Sequence, residues 1–202
     1  MRGYAFIEPG KIEFIEKPVP TCGDTDAIVK LTVIAACSSD VHSVKMGMCP
    51  PNTILGHEGI GIVTEVGSKV TDFKPGDKVI IPAVTPDWKT MEVQYGMSQH
   101  SGGMLKGINL SSYADGLFAE YTLIRHADMN LAKIPEGMDL KSACLIGDMV
   151  TTGFHGAELA DISFGDTVVV IGIGPVGLMS VAGAKLKGAG RILAVGTRPK
   201  CV

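Results

Sequence analysis

Two short stretches carry residues whose types could do chemistry. ACSSDVHS places Cys37, Ser39, Asp40 and His42 within six positions, and LGHEGIG sets His57 beside Glu58. One thiolate and one imidazole contributed by separate segments suit a zinc ion, which takes soft and borderline donors in a tetrahedron. Each residue alone carries little weight. A lone cysteine is most often a small buried hydrophobe, and a lone histidine a hydrogen-bonded core or surface residue.

A third stretch, VVVIGIGPVG, holds Gly172-x-Gly174-x-x-Gly177 at the end of an apolar run. In a strand-to-helix context the first two glycines allow a tight turn and close approach of backbone to a pyrophosphate. The third lets helix and strand pack closely, and the helix N-terminus, opening with Pro175 and Val176, supplies unpaired N–H groups for phosphate. NAD-binding units usually place an acidic residue about 20 residues further on, where it accepts from the ribose 2′-hydroxyl. Here the positions after RILAV are Gly196, Thr197 and Arg198. A carboxylate would repel a 2′-phosphate, whereas a hydroxyl and a guanidinium would hold one, so NADP(H) is expected over NAD. The competing reading of Arg198 is a solvated residue after a strand.

These residues need elements to hold them. DAIVKLTVIAA, GIGIVTEVG, DKVIIPAV and LFAEYTLI are rich in β-branched residues and alternate, which predicts strands; KPGD at 74–77 is a turn between two of them. The first 147 residues therefore read as all-β. From 148 the pattern changes: MVTTGFHGAELA has helical spacing, DTVVVIGIG is a short apolar run, GLMSVAGAKLKGAG is helical and RILAVG returns to strand. Strand, helix and strand within about 30 residues make a βαβ unit and parallel sheet. The expected organisation is two domains, 1–147 and 148–202.

Composition narrows the partners. The 202 residues carry a formal net charge of −3, and 46% of them are hydrophobic. That is ordinary for a globular core and offers no basic field for nucleic acid or an anionic membrane. Residues 151–202 hold five Lys or Arg against three Asp or Glu, a balance of +2 on the side of the expected anion site. No segment has the roughly 18 consecutive apolar residues of a membrane helix, nor does the N-terminus have a signal-peptide core, so a cytoplasmic location is expected. The five cysteines form no C-x-x-C pair, which argues against a disulfide framework and against a structural zinc knot.

GHEGIGIVTEVGSKV resembles the zinc signature of the medium-chain alcohol dehydrogenases, with Gly56, His57, Glu58, Gly61, Gly67 and Val70 on the pattern. VTPDWKT, QHSGGMLKG, ADMNLA, DMVTTGFHGAELAD and GIGPVGLMSVAGAKLKGAGRI carry the resemblance over essentially the whole chain, towards the NADP-dependent secondary alcohol dehydrogenases of bacteria and protists. The resemblance implies a mixed α+β and α/β fold: a GroES-like, mostly-β catalytic domain, then the start of a Rossmann domain. It implies one catalytic zinc held by Cys37, His57 and Asp148, with Glu58 close enough to coordinate, and Asp40 orienting His57. Ser39 is expected to hydrogen-bond the substrate hydroxyl, His42 to extend the proton path to solvent, and Thr152 to approach the nicotinamide. The substrate is expected to be a small alcohol, ketone or aldehyde, and the intact protein a homo-oligomer, a tetramer by resemblance.

Departures from the pattern leave alternatives open. Many relatives have cysteine as third ligand where this chain has Asp148; read without the family, Asp148 is as easily a helix N-cap, and Cys144 is a rival ligand. Ile108 stands where relatives carry tryptophan, the loop SVKMGMCPPNTIL is shorter, and Ala83 and Val84 are further pocket candidates. Cys22, Cys49, Cys201, His100, His126 and His155 read as structural or incidental. Relatives continue past the second parallel strand, so the 202 residues read as part of a longer protein. A non-catalytic zinc-binding fragment is the competing reading. A zinc-free quinone reductase is disfavoured by Cys37 and His57 occurring together.

Overall fold

The computed structural model describes residues 1–197. Strand β1 (Arg2–Glu8) turns back into β2 (Lys11–Glu16), then come β3 (Ala27–Ala35), helix α1 (Ser38–Met46), β4 (Thr53–Ile54), β5 (Glu58–Val66) and β6 (Lys78–Ile81). Helix α2 (Met91–Gln94), β7 (Tyr121–Ile124), α3 (Ala127–Asn130), β8 (Ala132–Lys133) and α4 (Leu140–Leu145) follow. A π-helical turn, Ile146–Val150, leads into α5 (Thr151–Leu159), β9 (Thr167–Ile171), α6 (Pro175–Leu186) and β10 (Arg191–Val195). The chain divides into two compact units, Met1–Gly147 and Asp148–Val202.

The first unit is built on a five-stranded sheet of order β7-β3-β5-β6-β8, antiparallel throughout, with β2-β1-β4 forming a smaller one. The two-residue period decides which side chains go where. Val63, Val79 and Ile81 join Val29, Leu117 and Ile124 in a core on one face, while Ile60 and Ile80 meet Ala143 and Cys144 of α4 on the other. Where α4 covers it, the sheet is buried on both faces, so Ile60 and its neighbour two positions back, Glu58, are both fully enclosed.

Helices are where the first unit departs from the expected all-β chain. Just past β3, Cys37 caps α1 and Ser38 to His42 open it, because Asp40, at the third helical position, accepts from the Cys37 N–H at 2.9 Å and satisfies a donor that the first turn leaves orphaned. Gly47 ends the helix in the left-handed conformation, φ 66°, with the Met48 N–H on the Ser43 carbonyl at 3.0 Å.

In the second unit β9 and β10 pair in parallel, Thr167 with Arg191 through Ile171 with Val195, and α6 crosses between them. Helices α5 and α6 pack through small residues: a Cβ on Gly153 would press on Met179, and one on Gly183 would meet Ala157 and Phe154. Among the described residues no helix is long and apolar enough to cross a membrane.

Candidate metal centre

Sheet register brings the first two ligand candidates together. Ala35, the last residue of β3, pairs with Glu58, the first of β5. Cys37 lies two residues past that pair on one strand and His57 one residue before it on the other, so an antiparallel ladder places a thiol and an imidazole at the same sheet end. Gly56 turns the chain into position with φ 91°, a backbone that L residues rarely adopt, and a Cβ there would also fall on the Phe118 ring. Its carbonyl is held by the Ser111 hydroxyl at 2.9 Å and the Leu117 N–H at 2.8 Å.

The third segment arrives along α4. That helix lies on β3 and β5 and runs into the π-helical turn. Gly147 is seated against the end of β6: its carbonyl accepts from the Ala83 N–H at 3.0 Å, and a Cβ on it would lie 2.5 Å from the Ile81 oxygen. Asp148 is the next residue in the chain.

Cys37, His57, Glu58 and Asp148 each offer a donor atom, and these atoms lie within 4.8 Å of one another. A tetrahedron with bonds of about 2.0–2.3 Å has edges of roughly 3.3–3.8 Å, so modest side-chain adjustment closes the group around one ion. The donor set, a sulfur, an imidazole nitrogen and carboxylate oxygens, fits zinc. Glu58 has no exposed surface, and a cation among these donors would compensate the cost of burying a carboxylate there.

Asp40 braces the group. One carboxylate oxygen lies 3.2 Å from His57 Nδ1 and the other takes the Cys37 N–H at 2.9 Å, while Ser39 Oγ is 3.3 Å from His57 Nε2. A proton held on Nδ1 by Asp40 leaves the Nε2 lone pair for an acceptor's role, which is the tautomer a metal needs. His42 is on the same helix and exposed.

The two rival residues of the third segment lie in different surroundings. Cys144 is buried in the core beneath the sheet and outside the donor group; burial first, and the Glu58 charge second, push its thiol pKa up. Asp148 does not cap α5, whose N-cap is Val150. Its carboxylate instead accepts from the Thr152 hydroxyl at 2.6 Å. Sequence reasoning missed this contact, and also Ser111, 55 residues from the Gly56 carbonyl it holds. The first could have been read from the i, i+4 spacing of DMVTT; nothing local signals the second.

The glycine-rich turn follows β9. Gly172 needs its glycine for conformation, φ 92°, and Gly177 for packing, since a Cβ would collide with the Gly172 carbonyl. Around Gly174, which precedes Pro175 and Val176 at the start of α6, a Cβ meets nothing within 4 Å among the described residues. Gly196 packs on Ile173, Thr197 is exposed, and Arg198 lies outside the described residues. Ala83 is buried, Val84 half-buried and Ile108 exposed; all three belong to the first unit.

The family profile described as the alcohol dehydrogenase GroES-like domain matches residues 23–136. The NADP-dependent isopropanol dehydrogenase of Thermoanaerobacter brockii is 58% identical over 100% of this chain and 58% of its own length, and that of Clostridium beijerinckii 56% identical over the same shares. The chain thus spans a little over half the length of these relatives. Among solved structures, the alcohol dehydrogenase TADH from Thermus sp. ATN1 matches with a TM-score of 0.90 at 29% identity, over 99% of this chain and 59% of that one. A cobalt- and zinc-bound thermostable alcohol dehydrogenase from Pyrobaculum aerophilum matches with a TM-score of 0.88 at 27% identity, covering 99% of this chain and 60% of that chain.

Proposed function

The chain belongs to the alcohol dehydrogenase GroES-like domain family, and from that premise we propose that it supplies the zinc centre and the first part of the coenzyme site of an NADP(H)-dependent dehydrogenase acting on small secondary alcohols and ketones. The observation that carries the reading is the convergence of Cys37, His57, Glu58 and Asp148 donor atoms within 4.8 Å. The substrate class follows the isopropanol dehydrogenases of 56–58% identity.

Bound among these donors, zinc supplies Lewis acidity, lowering the pKa of a hydroxyl or polarising a carbonyl. The remaining work falls to the chain. Cys37, His57 and Asp148 are the ligands, and Glu58 is near enough to exchange onto the ion. Ser39, beside His57, exchanges the substrate hydroxyl proton, and His42, exposed on the next turn, relays it to solvent. Asp40 keeps His57 in the ligating tautomer. The glycine turn from Gly172 to Gly177 receives the pyrophosphate, and Gly196, Thr197 and Arg198 the 2′-phosphate, with no acidic residue to repel it. Ala83, Val84 and Ile108 line the substrate, the smaller Ile108 widening the pocket. The intact protein is read as a cytoplasmic homo-oligomer.

Zinc analysis and NADP⁺ reduction with 2-propanol test the reading on the intact protein against Cys37→Ser. Wild type is expected to hold zinc and turn over, and the variant to lose both together. Equal zinc in the two proteins, or metal-independent turnover, would overturn it; zinc without any turnover would favour a non-catalytic metal-binding role.

A further inference from the structure

Resting on the metal-site reading, we propose that Thr152 is a positioning residue for the metal centre: its hydroxyl proton is committed to the Asp148 carboxylate and not to the coenzyme. Thr152 Oγ1 donates to Asp148 Oδ1 at 2.6 Å, the length of a charge-assisted O–H···O⁻ bond, about 2.5–2.7 Å. Four-residue spacing along a helix puts both side chains on one face. The neighbouring Thr151 hydroxyl donates to the Asp148 carbonyl oxygen at 2.9 Å, so successive threonines fasten the residue by side chain and by backbone.

The chemistry of the ligand explains why such a tether is needed. A thiolate presents one sulfur with no plane to set. A carboxylate turns about its terminal torsion in a broad, two-fold well, and a ligand free to turn must be ordered when the ion binds. The hydroxyl holds that plane beforehand. A hydroxyl has only one proton to give, so any contact of Thr152 with a nicotinamide is left to its methyl group or to its oxygen as acceptor. Thr152 is exposed, so its replacement leaves no void in the core.

The test is Co²⁺ titration of the intact metal-free protein, read by ligand-field absorption and chelator competition, with NADPH binding measured in parallel. Thr152→Val, which keeps the shape and removes the donor, is expected to weaken Co²⁺ binding about tenfold or more and to alter the absorption. Thr152→Ser is expected to restore both. Should the valine variant not fold, Thr152→Ala carries the same expectation. Co²⁺ affinity and spectrum unchanged in Thr152→Val, or a serine variant as weak as the valine, would overturn the proposal. Loss confined to NADPH affinity would also overturn it, by assigning Thr152 to the coenzyme alone. The underlying reading fails differently: Cys37→Ser would then bind Co²⁺ as well as wild type.

Discussion

Asp40 shows how much one side chain can carry in this centre. A single carboxylate closes the first turn of α1 through the Cys37 N–H, at 2.9 Å, and orients His57 through Nδ1, at 3.2 Å. Asp40→Asn keeps an acceptor for Cys37 but presents an amide to the imidazole. The ring then protonates on the wrong nitrogen, and metal affinity is expected to fall roughly 10–100-fold with little change in melting temperature. Asp40→Ala removes both contacts and is expected to lose stability as well. Chelator competition and thermal melting of the intact protein separate the two effects, and an asparagine variant with unaltered metal affinity would remove Asp40 from the centre. At this scale the sequence offered Cys37, His57 and Glu58 as candidate ligands only by their occurring together, since each residue type alone has commoner structural roles. The different surroundings of Asp148 and Cys144 were not legible there, since both lie in the same helical stretch and only the packing of α4 on the sheet sends Cys144 into the core.

At the scale of elements, the strand–glycine–helix unit divides its three glycines by cause. Gly177 is required by the fold, because any Cβ would meet the Gly172 carbonyl; among the described residues nothing crowds a Cβ on Gly174, which points to a glycine kept for close approach of backbone to a ligand. Gly177→Ala is therefore expected to lower the melting temperature of the intact protein and to impair coenzyme binding with it. Gly174→Ala is expected to cost no more than about 1 kcal/mol of stability, as a helix-cap substitution, while weakening NADPH binding at least tenfold. A fluorescence titration alongside thermal melting checks the pair, and unimpaired NADPH binding by Gly174→Ala would count against the pyrophosphate assignment. The strands were read correctly because period-two apolar patterns survive in the sequence, as in β3 and β5. Helix α1 escaped because its nine residues show no apolar stripe: Val41 is exposed and Asp40 is the buried one.

For the whole molecule, the two units differ in how much of their backbone is protected. Among the described residues, the first holds a five-stranded sheet with a core on each face, whereas β9 and β10 pair with each other and leave Ile171 83% and Val169 54% exposed. Two strands are marginal without further covering. In the 202-residue polypeptide, amides of β9 and β10 are expected to exchange with solvent on the order of 100-fold faster than those of β3 and β5, reflecting separate local openings. Hydrogen exchange followed by mass spectrometry measures this directly, and equal protection across both units would show them to open as one. The change from alternating to helical patterning near residue 148 was visible in the sequence, because each architecture imposes its own period on the apolar residues.

Alone, the sequence determined what is local: the donor chemistries that Cys37 and His57 can offer, the strand periods, and the glycine turn that leads into a helix, since side-chain type and spacing act through neighbouring backbone. Tertiary structure decided what depends on register and packing. Pairing of Ala35 with Glu58 sets the thiol beside the imidazole, the seating of Gly147 against β6 carries Asp148 to them, and Ser111 holds the Gly56 turn from 55 residues away. Such contacts cost chain entropy to close and leave no periodic trace, so they are specified only when the sheet and its covering helix have formed.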